Sequence, residues 1–295
     1  GLQSGCGKHA EQEGVPGLVI TASHNPPEYN GIKLVGADGI ELDRAALERV
    51  EANVRAMRAD GPTGPAYAAW DRTGRSRRVE GATRRYAADV LAAVDREAIA
   101  DADLTVALDP GHGAGALTSP DLFRDLGCEV VTVNATPDGH FPGRNPEPVP
   151  GNLGDLGRLV RTADADLGIA HDGDADRAIF YDGAGDPVEG GATLAALAAA
   201  DLDPGDATVS AVNVSQRLVE AARGAGADLE LTPIGSTNII TRIESLQAEG
   251  THVPVAGEGN GGVLFPPYRP ARDGADTAAR LCGPPAGRGG SEGVS

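Results

Sequence analysis

Leu104-Thr105-Val106-Ala107-Leu108, followed at once by Asp109-Pro110-Gly111-His112-Gly113-Ala114-Gly115, is the stretch that decides the architecture. Four of the first five residues are apolar and two are β-branched; the run is too short for a helix and reads as a buried strand. The glycine run turns the chain tightly, and a helix is expected to follow through Leu126. Residues 129–133 form the next strand, so the unit reads strand, turn, helix, strand, as in parallel sheets with crossover helices. Gly111, Gly113 and Ala116 fit a loose dinucleotide fingerprint, but the next strand ends at Asn134 with no acidic residue to hold a ribose. Tight strand-to-helix turning is the better account of this run.

The same alternation continues outward. Downstream, 153–162 reads as a helix, and 167–170 and 178–181 as strands on either side of an acidic loop. A second series begins near Pro187, with helices at 193–200, 215–222 and from Ser236 to Leu246, and strands at 208–212, 229–234 and 253–256. Upstream, 82–99 has one continuous helical pattern, with Tyr86, Val90, Leu91 and Val94 on one side. Residues 60–78 look like a linker. Before them, 15–21 is a short strand ending in the polar turn 23–30, and Asp43 caps a helix through Met57 with Leu47, Val50 and Val54 apolar. Residues 5–12 carry no strand–helix pattern. From Cys282 the chain is Gly, Pro, Arg and Ser, and this tail is expected to be disordered.

The net charge of −18 argues against a nucleic-acid partner, because phosphate backbones recruit basic residues. No apolar run approaches the roughly 18–20 residues of a membrane span, and the first ten residues lack the apolar core of a signal peptide. Lys8 and Lys33 are the lysines; every other basic residue is Arg. An acidic excess with scarce Lys points to a high-salt, haloarchaeal cytosol, with a GC-rich genome as the alternative account. Cys6, Cys128 and Cys282 are odd in number and widely spaced, which suggests a reducing, cytoplasmic compartment.

Two strings carry chemistry. Thr21-Ala22-Ser23-His24-Asn25-Pro26-Pro27, leading to Asn30-Gly31-Ile32-Lys33, presents a serine hydroxyl at a strand end on a proline-stiffened turn, with His24 and Lys33 available to manage protons or steady phosphate charge. Any Ser-His pair taken alone is more often an ordinary turn. Asp172-Gly173-Asp174-Ala175-Asp176-Arg177 sets three carboxylates at alternate positions between two strands, able to converge on one hard cation. An EF-hand fails on spacing, since its sixth position would be Arg177 and its twelfth Gly183. A third string, Gly257-Glu258-Gly259-Asn260-Gly261-Gly262, read alone is a flexible turn before a strand. His9, His112, His140, His171 and His252 show no metal spacing and read as structural or solvent-facing.

These strings together resemble the α-D-phosphohexomutase family: the Thr-Ala-Ser-His-Asn-Pro stretch with Asn-Gly-Ile-Lys is similar to its phosphoserine loop, and Asp-Gly-Asp-x-Asp-Arg to its magnesium loop. The resemblance implies that Ser23 is phosphorylated and donates its phosphoryl group to a sugar. It further implies that Asp172, Asp174 and Asp176 bind Mg²⁺ together with the phosphate on Ser23, and that Arg177 balances charge near the transferred group. Glu258 and Asn260 would bind sugar hydroxyls; Asn260 stands where many members have Ser and can still donate and accept. Thr232-Pro233-Ile234-Gly235 is similar to a strand-turn that faces the active site.

The implied fold is a succession of three-layer α/β domains with mixed parallel sheets: 1–78 a partial first domain, 79–184 a second with the metal loop, 185–280 a third with the sugar loop, and 281–295 the tail. The likeness covers about 15–276, three of the family's four domains. The stretch before the serine loop and the phosphate-clamping loop of the fourth domain have no counterpart, and past Arg272-Asp273-Gly274, where the family continues into a helix, the chain looks like a truncated end. The implied reaction interconverts hexose 1-phosphate and hexose 6-phosphate of glucosamine, mannose or glucose. The alternative is a non-catalytic metal- and sugar-phosphate-binding remnant, or one part of a split enzyme. The partner is a small sugar phosphate, with no nucleic acid or membrane, and no oligomeric state is implied.

Overall fold

The computed structural model describes residues 2–60, 68–269 and 271–283. Three α/β units follow one another, each around its own sheet. The first contains helix α1 (Leu2–Glu13), strands β1 (Gly17–Ile20) and β2 (Ile32–Val35), and helix α2 (Arg44–Asp60). β1 and β2 pair antiparallel with Val19 opposite Lys33. Residues 5–12 are helical after all: Cys6 and Ala10 pack on Val19 and Val35, and these contacts supply what a weakly patterned segment lacks by itself. Asp43 caps α2 as expected, accepting the Ala46 N–H at 2.7 Å. Strand β2 lies between the expected turn, 23–30, and the Asp43 cap, a stretch to which the sequence reading assigns no element; it is four residues long and held by its partner.

The second unit comprises α3 (Ala82–Ala92), α4 (Arg96–Asp101), β3 (Thr105–Asp109), α5 (Ser119–Asp125), β4 (Glu129–Thr132), α6 (Gly154–Ala163), β5 (Leu167–His171), β6 (Ala178–Tyr181) and β7 (Pro187–Val188). Its sheet runs β4-β3-β5-β6-β7, parallel across the first three strands and antiparallel beyond. Alternation along β3 explains the layering. Val106 and Leu108 face a core shared with Tyr86, Val90, Ile99, Leu122 and Phe123, whereas Ala107 faces Leu153, Leu156 and Val160 around α6. Each large apolar side chain among these, fully buried, contributes about 1.5–3 kcal/mol. The single helix expected over 82–99 is two helices, because Asp95 accepts the Ala98 N–H at 3.1 Å and starts a new one.

The third unit comprises α7 (Gly190–Asp201), β8 (Ala207–Ala211), α8 (Gln216–Ala225), β9 (Asp228–Thr232), α9 (Ser236–Ala248), β10 (Ala256–Gly257), β11 (Val263–Leu264) and α10 (Gly274–Cys282). Its sheet runs β11-β10-β8-β9, with β11 antiparallel. The chain does not lapse after Gly274. Asp273 caps α10 through the N–H groups of Ala275 and Asp276, and Ala275, Ala278, Ala279 and Cys282 bury into the core of the second unit. Part of the expected linker, 61–67, and the tail from 284 lie outside the described residues. Cys6, Cys128 and Cys282 are free thiols. Among the described residues no helix is long and apolar enough to cross a membrane.

Candidate active site

Strand β5 ends at His171 and β6 begins at Ala178, its register partner, so 172–177 is the loop of a hairpin set into the middle of the five-stranded sheet. Asp172 Oδ1 accepts the N–H groups of Asp176 and Arg177 at 3.1 and 3.3 Å, which curls the loop back on its first carboxylate. Ala175 takes a left-handed φ of 58° to complete the turn. Asp172, Asp174 and Asp176 are all buried and offer one oxygen each within 4.8 Å of one another. Asp174 Oδ1 and Asp176 Oδ1 are buried without a hydrogen-bond partner among the described residues, Asp176 Oδ1 having Arg177 Nε no closer than 3.8 Å. Orphaned carboxylate oxygens are costly unless something positive meets them. An all-oxygen donor set of this kind fits a hard divalent cation. Burial, then the charges of Asp176 and Asp174, raises the Asp172 pKa well above the usual carboxylate range. Burial acts the same way on Asp176, but Arg272, Lys33 and Arg177 outweigh it and hold that carboxyl low.

A buried frame fixes this loop. Arg144 Nε donates to Asp109 Oδ2 at 2.8 Å, and its Nη2 donates to the carbonyl of His171 at 2.6 Å. His171 is wholly buried between Ser119 Oγ (3.0 Å) and the Arg177 carbonyl (2.9 Å). The carbonyl can only accept, so Nδ1 carries the proton and Nε2 accepts from Ser119. Burial pushes the His171 pKa down to about 4. The glycine run 111–115 supports the same loop: Ala114 N–H donates to Gly173 O at 2.9 Å, and a Cβ on Gly115 would sit 2.9 Å from the His171 ring. Close packing on the acidic loop, not a dinucleotide, accounts for those glycines.

The serine loop reaches the acidic loop from the first unit. Ser23 has φ 54° and its N–H is held by Thr21 Oγ1 at 2.9 Å. The Ser23 hydroxyl donates to Asp172 Oδ2 at 3.0 Å, and Thr21 donates to Asp174 Oδ2 at 3.1 Å. Lys33 Nζ lies 3.1 Å from Asp174 Oδ2 and 3.2 Å from Asp176 Oδ2. Burial alone would lower the Lys33 pKa, but Asp176 and Asp174 raise it, so Lys33 stays an ammonium. Arg177 Nη2 donates to His24 Nδ1 at 3.0 Å, which makes Nδ1 the unprotonated nitrogen. That nitrogen is 3.3 Å from Ser23 Oγ. Burial and then Arg177 lower the His24 pKa, keeping the ring neutral. Gly173 makes the approach possible, since a Cβ there would collide with the Ser23 carbonyl.

The third string arrives from the end of β10. Glu258 is buried and its Oε2 accepts from Arg272 Nη1 at 3.3 Å, while Arg272 Nη2 donates to Asp176 Oδ2 at 2.6 Å. Asn260 is exposed, its Oδ1 accepting the Gly262 N–H at 3.1 Å. The structure thus brings Ser23, His24, Lys33, Arg177, Asp172, Asp174 and Asp176 together, and ties Glu258 to them through Arg272. Asn260 sits on the same loop and bonds locally. Thr232 is buried beside the Ser210 and Pro233 carbonyls, and Ile234 is exposed. Arg144, Arg272 and Thr21 were not singled out as site residues from the sequence. Thr21 lay inside the serine string, and Arg272 led the triplet marking the next helix, whereas no local pattern marked Arg144.

Protein-family models described as phosphoglucomutase/phosphomannomutase α/β/α domains I, II and III match residues 9–60, 84–185 and 190–290. The chain belongs to this phosphohexomutase family. Among curated relatives, the phosphoglucomutase/phosphomannomutase of Thermococcus kodakarensis is 42% identical over 270 residues, covering 90% of this chain and 56% of the relative. The phosphoglucosamine/phosphogalactosamine mutase of Sulfurisphaera tokodaii is 36% identical, covering 90% of this chain and 57% of the relative. A crystal structure of a phosphoglucomutase/phosphomannomutase family protein from Burkholderia thailandensis superposes with a TM-score of 0.75 at 26% identity, over 90% of this chain and 55% of that one. The chain therefore spans a little over half the length of these family members.

Proposed function

We propose that this chain is an α-D-phosphohexomutase unit, an intramolecular phosphotransferase acting on hexose phosphates of the glucosamine, mannose or glucose type. The observation that carries this is the 3.0 Å hydrogen bond between the Ser23 hydroxyl and Asp172, residues from different units that meet at a three-carboxylate cluster. In the forward half-reaction the bond between phosphorus and Ser23 Oγ breaks, a bond forms to a hexose hydroxyl oxygen, and the proton that hydroxyl loses is balanced by the one Ser23 Oγ gains as it becomes a hydroxyl again. The resulting bisphosphate then returns its other phosphoryl group to Ser23, leaving the isomeric monophosphate.

Asp172, Asp174 and Asp176 would hold Mg²⁺, which when bound offsets charge on the phosphoryl oxygens. Lys33, as an ammonium, and Arg177 stabilise the charge spread over the moving group, the main requirement of phosphoryl transfer. His24, kept neutral, accepts from Arg177 through Nδ1 and so holds that guanidinium beside the Ser23 oxygen. Glu258 and Asn260 offer carboxylate and amide groups to the sugar hydroxyls. A second reading follows from the chain's span of its relatives: binding and Ser23 phosphorylation proceed here while full turnover needs further residues. Conversion of hexose 1-phosphate to 6-phosphate, assayed with Mg²⁺ and trace bisphosphate, separates the two. Turnover supports the mutase; Ser23 phosphorylation without turnover supports the second reading; the absence of both defeats both.

A further inference from the structure

We propose that Arg272 is a positioning residue through which the cation cluster and Glu258 hold each other in place, so that cation binding and sugar binding reinforce one another. Its guanidinium is forked between the two sites: Nη2 on Asp176 Oδ2 at 2.6 Å and Nη1 on Glu258 Oε2 at 3.3 Å, with only 11% of the side chain exposed. The fork is planar, so displacing either carboxylate turns the group that holds the other. At Asp176 it shares Oδ2 with Lys33, which leaves Oδ1 without a hydrogen bond among the described residues.

The base of Arg272 is anchored to the same loop. Gly274 N–H donates to the Ala175 carbonyl at 3.1 Å, and a Cβ on Gly274 would strike the Arg177 carbonyl. Asp273 Oδ1, which caps α10, also accepts the buried Tyr86 hydroxyl at 2.7 Å. On the sugar side, a Cβ on Gly262 would lie 2.7 Å from Arg272 Cδ, so the glycine leaves room for the arginine stem. Arg272 is thus locked at its root, its stem and both ends of its fork. A cation drawing on Asp176 and a hexose drawing on Glu258 act on one rigid group, and linkage makes the effect reciprocal.

This inference rests on the proposed assignment of Glu258 to the sugar, and the test separates the two. Calorimetric titration of the full chain with glucosamine 6-phosphate, with mannose 6-phosphate and glucose 6-phosphate in parallel, is run with and without saturating Mg²⁺. In the unsubstituted protein Mg²⁺ should tighten hexose phosphate binding about fivefold or more. Arg272→Lys keeps the charge but cannot fork, and should still bind Mg²⁺ while the coupling falls below about twofold. Glu258→Gln should weaken hexose phosphate binding and lose the same coupling, with no further loss in the double variant. Equal coupling in the parent and Arg272→Lys, or no coupling in the parent, would overturn the inference. Unchanged hexose phosphate affinity in Glu258→Gln, or a parent that binds no hexose phosphate, overturns the sugar assignment and this inference with it. Thermal melts of each variant check folding, and the parent's own coupling stands as a test that needs no variant.

Discussion

The acidic loop hangs between two strands of a five-stranded sheet with a buried core on each face, and its supports, Asp109, Arg144 and His171, are themselves buried. The serine loop springs from a two-stranded sheet with one covered face. On the other, Leu18, Ile20 and Ile32 are 54%, 65% and 66% exposed, and the apolar positions Val50 and Val54 of α2 are exposed as well. The two loops differ in how much structure holds each, in keeping with the tasks proposed for them. Three carboxylates repel one another and must be fixed before a cation arrives, so they need a stiff frame. A hydroxyl that exchanges a phosphoryl group with a ligand needs only to be aimed, and here a left-handed Ser23, one Thr21 hydrogen bond and contacts from the acidic loop aim it.

The largest test of this contrast strikes the frame. Arg144→Ala leaves Asp109 buried without its ion-pair partner, and should cost about 3–5 kcal/mol in urea unfolding together with loss of Mg²⁺ binding. Retained stability and cation affinity would mean the frame is dispensable. A pH series probes the same core from α10. Burial raises the Asp276 pKa from 3.8 in the unfolded reference to about 6, so the folded chain favours the neutral acid. Its contribution is full below about pH 4 and is lost as the pH rises through about 6, by up to roughly 3 kcal/mol. Asp276→Asn should abolish that fall in a series of unfolding curves, and a parallel fall in the variant would assign it elsewhere.

A subtler test acts where the two regions touch. Gly173→Ala places a methyl group against the Ser23 carbonyl and must separate the loops, at about 1–3 kcal/mol. Phosphorylation of Ser23 should slow more than stability falls, because the aim is what suffers. Smallest of all, Ser23→Ala should cost about 0.5–1.5 kcal/mol, the worth of its one hydrogen bond to Asp172, while removing the proposed phosphorylation site. A large stability loss there would show the serine to be structural.

How far the sequence could be read follows the same division. Strands β3, β5 and β6 and the acidic string were legible because a buried strand and its loop are local patterns, and Ala178–Tyr181 emerged with the bounds expected. The serine string was equally legible. What escaped notice depends on distant partners. Arg144 acts on residues 35 and 27 positions away, and Arg272 on one 96 positions away. Helix α10 is made largely of small residues and buries them against a sheet from another unit, so no large apolar side chain marked its buried face in the sequence. Helix α1 is weakly patterned for a related reason, since it owes its order to Val19 and Val35.

Ser23 and the carboxylate cluster are proposed to form one phosphoryl-transfer site. The direct measurement is intact mass and peptide mapping after incubation with glucose 1,6-bisphosphate, with and without Mg²⁺, in the parent and in Asp174→Asn. The predicted result is one added phosphoryl group, located on Ser23, formed with Mg²⁺ and absent both without it and in the variant. Phosphorylation at another residue, or on Ser23 at the same rate without Mg²⁺ and in Asp174→Asn, would contradict it.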